Sequence, residues 1–342
     1  MHRRDLRRAA YGGWLGLRDK ISRSDALSRY FYEFRNQSSF TDLIHHDRML
    51  ADEVRMGAYR EGIAKHVSDG DVVVDLGTGT GVLAFLAARS GARVVHAVEH
   101  SGELVEAARS VAQANGITNV VFHRIHSRSV TVDEPVDVIV HEQIGRDVFD
   151  ERAVANVSDL RDRLLRPGGK ILPGVLEMYV EPVQLREGFR APYAWTQDVG
   201  GIRFGALNAL RDKQNDTYRH LYFWPFPFDA YLADPKPIVR VDLHTIQPGG
   251  LPTRLQIRRE AVRDGSLDGF CVYFRASFDD ELSFTNAPDG PTTSWSTPLL
   301  RVEPQTVQRG DVIELELETS DLANPKTWRW PDAATVAAPS AR

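Results

Sequence analysis

In the stretch HEQIGRDVFDE, residues 141–151, two carboxylates stand nine positions apart: Glu142 where an apolar run ends (VDVIVHE, 136–142) and Glu151 where a helical pattern begins. Acids so placed are either a solvated hairpin pair or two jaws of one site. What else gathers at that edge of the sheet decides between them. A second candidate lies upstream, where VVVDLGTGTG (72–81) leaves an apolar strand and opens a helix through Gly77, Gly79 and Gly81. Glycines there let the backbone turn tightly and approach a ligand, and helix-start N–H groups favour an anionic group. Dinucleotide enzymes use a similar turn. Here, however, Val82 stands where their third glycine falls, and Asp75 precedes the loop, where it would repel a pyrophosphate but suit an amine-bearing ligand. Eighteen residues beyond Gly81, Glu99 ends the next apolar run, placed to accept both hydroxyls of a ribose. Together these residues indicate S-adenosylmethionine as cofactor.

The elements that must position these groups follow from periodicity. DVVVDL (71–76), ARVVHAVE (92–99), NVVFHRI (119–125) and VDVIVHE read as buried strands. Between them, VLAFLAARSG and GELVEAARSVAQANG read as helices, each ending at a glycine suited to the left-handed position past a helix end. AVANVSDLRDRLLRPGG puts Val154, Val157, Leu160 and Leu164 on one helical face before Pro-Gly-Gly. Strands alternating with helices predict a parallel sheet covered on both faces. After GKILP (169–173) the pattern changes to alternation, as in IVRVDLHTI (238–246) and VIELELE (312–318), which predicts antiparallel sheet with one wet face. An aromatic insertion at about 203–232, containing YRHLYFWPFPFDAY, is expected to be buried against a partner, with packing over its own sheet as the alternative. The final AATVAAPSAR is expected to be disordered.

Composition narrows the function classes. With 342 residues, 42% apolar and 26% charged, the chain suits two packed globular domains. A net charge of −5 does not suggest a nucleic-acid binder, although the first 23 residues are rich in Arg and Lys. Neither a membrane-spanning apolar run nor a signal peptide is expected. The single Cys271 leaves no disulfide framework and suits a reducing cytoplasm. His45, His46 and Asp47 are consecutive, so their side chains diverge, and no metal site is expected.

Over roughly residues 28–320 the chain resembles the protein arginine N-methyltransferases, as a divergent, bacterial-type member. DRMLADEVRMGAY (47–59), DLGTGTG with Glu99, the double-glutamate hairpin and TTSWS (292–296), in place of a Thr-His-Trp motif, carry the likeness. The resemblance implies an α/β + β fold: a Rossmann-like class I methyltransferase domain followed by a β-barrel domain with an inserted dimerisation arm. The expected limits are a basic lead-in 1–29, a cofactor domain with N-terminal lid helix 30–173, a barrel 174–325 with its arm at about 203–232, and a tail 326–342. It implies catalytic roles for Glu142 and Glu151, and substrate contacts from Tyr30, Met49 and Trp295. Cofactor contacts fall to Phe31, His46, Arg55, Asp75, Gly77, Gly79, Gly81 and Glu99. Two departures border the acceptor: Ser294 replaces the motif histidine, whose aspartate partner is matched by Asp52, and Phe34 replaces a lid tyrosine. The expected reaction is methyl transfer from S-adenosylmethionine to the guanidinium of arginine, in a protein, in a peptide or as a free arginine-like small molecule. The alternatives are another small amine or hydroxyl acceptor and a non-catalytic dimeric scaffold. A homodimer is expected, with neither membrane nor nucleic acid as partner.

Overall fold

The computed structural model describes residues 43–190, 198–207 and 219–338. Tyr30, Phe31, Phe34 and the basic lead-in lie outside the described residues. The chain divides into an N-terminal unit, residues 1–47, and a unit of residues 48–342. Helix α1 (Leu43–Leu50) begins in the first unit, and within it His46 is buried.

The larger unit starts with helix α2 (Glu53–His66), capped by Asp52, whose Oδ1 accepts the Arg55 N–H at 3.0 Å. Strands β1 (Val72–Leu76), β2 (Val94–Glu99), β3 (Val120–Arg124), β4 (Val136–His141) and β5 (Leu165–Leu172) form a parallel sheet in the order β3-β2-β1-β4-β5. Helices α3 (Val82–Arg89), α4 (Gly102–Ala114) and α5 (Ala153–Leu164) connect them. Past the first two of these, Gly91 (φ 107°) and Gly116 (φ 64°) take the left-handed conformation that ends a helix. In α5, Val154, Val157 and Leu160 face the core, and β5 already begins at Leu165, before Pro-Gly-Gly. β3 departs from expectation. It is the edge strand and only half-buried, with Val121 exposed, because among the described residues no strand pairs on its far side.

Between Leu172 and Val175 the chain leaves this sheet for an antiparallel, barrel-like domain. Its strands are β6 (Val175–Leu185), β7 (Asp198–Val199), β8 (Ile202–Arg203), β9 (His220–Phe223), β10 (Phe228–Tyr231), β11 (Val239–Asp242), β12 (Arg254–Glu260), β13 (Gly265–Ser277), β14 (Ser283–Thr285), β15 (Thr297–Val307), β16 (Val312–Glu318) and β17 (Thr335–Ala337). The larger sheet runs β10-β6-β13-β15-β9, with β11 also on β6 and β14 on β13, and a second runs β12-β16-β17. In β16, Ile313, Leu315 and Leu317 turn inward, while Glu314, Glu316 and Glu318 pair across with Arg254 and Arg258 of β12.

Two expectations need correction. The aromatic segment is not an arm from 203 to 232: β9 and β10 within it are integral strands, paired to β15 and β6. Phe226 is buried, and Phe223, Phe228 and Tyr231 pack against Tyr179, Tyr273 and Leu299, so most of these aromatic rings serve their own sheet. The tail is not disordered through 338 either. Trp328 is fully buried and Trp330 nearly so, their indole N–H groups donating to the carbonyls of Leu322 and Arg301. With that anchor in place, the short Thr335–Ala337 strand completes the edge of β16.

Candidate active site

The strand order reverses between β1 and β4, so the crevice beyond their carboxyl ends is the place where such sheets bind ligands. Register makes this concrete: Leu76 pairs with Val98 on one side and His141 on the other. One residue further along these three strands stand Gly77, Glu99 and Glu142. The fold thus flanks the first loop glycine with two glutamates.

The glycine loop is built by backbone hydrogen bonds. The N–H groups of Gly77 and Thr78 both donate to Val98 O at 3.0 Å, and Gly81 N–H closes a turn on Thr78 O at 2.8 Å. Gly77, Gly79 and Gly81 have φ of 73°, 53° and 93°, a region that side chains avoid. A Cβ on Gly81 would also lie 2.3 Å from the Phe85 ring. Asp75 is buried beneath the loop, where its Oδ2 accepts the Thr78 hydroxyl at 2.5 Å and Ala84 N–H at 3.0 Å, the latter at the start of α3. Its Oδ1 has no hydrogen-bond partner among the described residues. Burial pushes this carboxyl up to about 7, against the pull of those two hydrogen bonds. Glu99 behaves oppositely. Burial raises it, but the His100 ring, Ser101 N–H (2.9 Å) and Gly79 N–H (3.2 Å) outweigh burial and hold it below the ordinary carboxylate value.

Across the crevice, the hairpin 142–151 is tightly folded. Gly145 and Val148 form a lone antiparallel bridge, and Val148 holds φ 70°, a strained conformation for a fully buried β-branched residue. Glu142 pairs with the Arg55 guanidinium, which lies 5.0 Å from the centre of the Trp295 ring. Glu151 faces a different balance. Burial, then the charges of Glu142 and Asp150, push it well above its ordinary range, with Arg55 and Arg146 pulling less strongly the other way. Asp150 rises to about 7, through burial first and the charge of Asp147 second.

Second-domain residues hold this hairpin. Trp295 is buried and donates its indole N–H to Ile144 O at 2.7 Å, so its visible task is to pin the hairpin. Tyr222 donates to Asp147 Oδ2 at 2.8 Å, and His220 Nε2 lies 2.9 Å from Asp147 Oδ1. The aspartate Asp52 keeps a partner in the TTSWS segment, though not an imidazole: its Oδ2 accepts the backbone N–H of Ser294 at 2.6 Å. Met49 is half-buried near the end of α1. The geometry thus gathers Glu142, Glu151, Arg55, Trp295, Asp75, Glu99 and the three glycines around one crevice. Asp147, Asp150, His220, Tyr222 and Gln143, whose amide lies 3.5 Å from where a Gly77 Cβ would sit, were not anticipated. The Asp147/Asp150 pair inside GRDVFDE was the one available signal, because acids three apart within a hairpin are costly unless they are held.

Comparison with known proteins now bears on this crevice. A family model described as a methyltransferase domain matches residues 67–185. Arginine N(omega)-methyltransferase of Streptomyces achromogenes subsp. streptozoticus is 30% identical over 286 residues, spanning 81% of this chain and 76% of its own. The chain belongs to the arginine N-methyltransferase family. It is an S-adenosylmethionine-dependent methyltransferase. The probable protein arginine N-methyltransferase 6.1 of Oryza sativa subsp. japonica is 29% identical over 305 residues, covering 85% of this methyltransferase and 73% of the rice protein. In fold, the chain matches the Trypanosoma brucei PRMT1 enzyme–prozyme heterotetrameric complex with AdoHcy at TM-score 0.71 and 24% identity, over 82% of this chain and 89% of that one. Arabidopsis thaliana protein arginine methyltransferase 10 gives 0.70 at 24% identity, over 84% and 92%.

The crevice of this methyltransferase fits its cofactor chemically. Three left-handed glycines leave the backbone bare, the buried Oδ1 of Asp75 has no partner among the described residues, and the lowered carboxylate of Glu99 suits hydroxyl donors. Among the described residues no group of three or more His, Cys, Asp or Glu could hold a metal ion, and no helix is long and apolar enough to cross a membrane.

Proposed function

We propose that this methyltransferase transfers a methyl group to the guanidinium of arginine, free or within a protein, with Glu142 and Glu151 as the clamp. One observation carries the reading: Glu151 sits beside a second carboxylate at the switch point, raised by burial and by its acidic neighbours. A half-buried acid pushed up in this way gains most from a partner that stays cationic at any working pH. A guanidinium is such a partner, planar and always charged, with five N–H donors in a fixed fork. Gripped from two sides, its charge is drawn toward the held nitrogens, and the remaining nitrogen keeps more lone-pair character for attack.

S-Adenosylmethionine supplies an electrophilic methyl when bound. Gly77, Gly79, Gly81 and Glu99 would hold its nucleoside end, with Asp75 bracing the loop. His46, Phe31 and Arg55 are assigned to the same cofactor. In Arg55 the family role toward the cofactor's carboxylate coexists with its ion pair to Glu142, so one guanidinium ties cofactor and clamp together. The resemblance assigns Met49 and Tyr30 to the acceptor, Tyr30 lying outside the described residues, and Trp295 acts on the acceptor side through the hairpin it pins. Orientation carries most of the acceleration. With Ser294 in place of the motif histidine, the product's proton leaves without imidazole help, which a guanidinium allows because deprotonation can follow transfer.

A cytoplasmic homodimer with a closed β-barrel completes the reading. Phe189, Val199, Ile202 and Phe204 are all exposed, and so much apolar surface in one short stretch suits a subunit contact. Light scattering of Val199→Asp/Ile202→Asp should show a monomer; an unchanged dimer would remove this segment from the interface. The chemical test incubates the protein with labelled S-adenosylmethionine and either L-arginine or an Arg-containing peptide. Mass analysis after hydrolysis should find ω-N-methylarginine. Transfer to a non-guanidine acceptor, or none while cofactor binds, would overturn the reading.

A further inference from the structure

Two arginines at the hairpin are not members of the acidic clamp, although the charge of Arg146 reaches Glu151 and Asp150. Arg146, within the hairpin, places its guanidinium 4.4 Å from the Tyr222 ring centre, and Arg48 places its own 5.5 Å from the Trp224 ring centre. Both arginines are exposed, and among the described residues neither forms an ion pair with a carboxylate. The two rings are two positions apart in sequence: Tyr222 lies on β9 and Trp224 stands one residue past its end, so their Cα atoms are at most about 7 Å apart, and both rings are exposed. His220 stacks 4.8 Å from Tyr222.

Each platform is also fastened to a wall of the crevice. Tyr222 donates to Asp147 in the hairpin at 2.8 Å. Trp224 donates its indole N–H to Thr293 O at 2.8 Å, next to the Ser294 amide that Asp52 holds at the head of α2. A guanidinium lying over an aromatic face keeps its in-plane N–H fork open for a bidentate anion. The rim therefore presents two cations on fixed platforms, next to a clamp made of acids.

We infer that Arg48 and Arg146 form a carboxylate subsite, and that the acceptor is a small guanidino acid such as free L-arginine. The inference rests on the guanidinium reading above. Such a molecule carries a cation at one end for Glu142 and Glu151 and an anion at the other for the arginine pair. An arginine-rich peptide brings further cations to the same rim and is repelled there.

The test compares kcat/KM for L-arginine, for agmatine (the same guanidine chain without the carboxylate) and for a Gly-Arg-Gly-rich peptide. It uses wild type, Arg48→Gln and Arg146→Gln, with melting curves to confirm folding. Wild type should prefer L-arginine over agmatine by about 10- to 100-fold, the range for a charge-assisted contact. Each substitution should raise KM for L-arginine more than it lowers kcat and move the arginine/agmatine ratio toward one. Equal use of L-arginine and agmatine by wild type, or a preference for the peptide, would overturn the subsite while leaving the clamp intact. Failure to methylate any of the three guanidines would instead overturn the reading beneath it.

Discussion

Glu99 and Glu151 are both glutamates at the carboxyl edge of the parallel domain, and they have opposite surroundings. Glu99 ends β2 within reach of two backbone N–H groups and the His100 ring, which more than offset burial and keep it ionised. Glu151 closes a hairpin containing Glu142 and Asp150, and burial with those like charges drives it toward the neutral form. The difference lies in partner type, since both lose water. A carboxylate already satisfied by the backbone is a fixed acceptor suited to neutral hydroxyls. A carboxylate crowded by its own kind is held at a cost until a cation arrives.

Substitutions at the two positions should separate these roles. Glu151→Gln should lower kcat/KM for the guanidine acceptor by about 10²–10³-fold or more, with cofactor affinity nearly unchanged. Glu99→Gln should weaken cofactor binding by about 10-fold or more and largely spare turnover at saturating cofactor. Matching profiles in binding and turnover assays would break the comparison. Glu142→Gln is a less clean probe, because it strands the buried Arg55 cation and should destabilise the fold by about 3–5 kcal/mol. Gly81→Ala tests the cofactor edge through its backbone: the positive φ and the Phe85 contact should cost about 1–3 kcal/mol, read as a lowered melting temperature. A stability unchanged in Gly81→Ala would mean that the loop relaxes freely.

The smallest effect concerns pH. Asp150 is raised to about 7, so its contribution to stability is fully present below its unfolded value near 4 and is lost as pH rises through 7. Asp150→Asn keeps an oxygen for the Asp147 N–H. It should match wild type near pH 4 and melt a few degrees higher above pH 7. Over the same range kcat/KM should climb with pH, because the clamp must be ionised to hold its substrate. A falling profile would contradict the raised acids.

The parallel domain was legible because a buried strand and its covering helix each leave a periodic signature, and the left-handed glycines mark the turns. The crevice was legible for a related reason: the residues at the carboxyl ends of β1, β2 and β4 fall together once the strand order is known. The second domain was harder. YRHLYFWPFPFDAY is aromatic on both of its faces, and only pairing with β15 and β6 reveals which rings are inward. The tail was misread because Trp328 and Trp330 supply the anchoring, while Thr335–Ala337 itself carries little apolar signal. Asp147 with His220 and Tyr222 spans more than 70 positions, a separation that no local pattern encodes.

The central claim is that the acidic hairpin awaits a permanent cation. Calorimetric titration of the S-adenosylhomocysteine-loaded protein with L-arginine near pH 7, in buffers of different ionisation enthalpy, measures it most directly. Binding should release protons from the raised acids, and Glu151→Gln should remove much of both the release and the affinity. Binding without proton release, and undiminished in Glu151→Gln, would contradict the account.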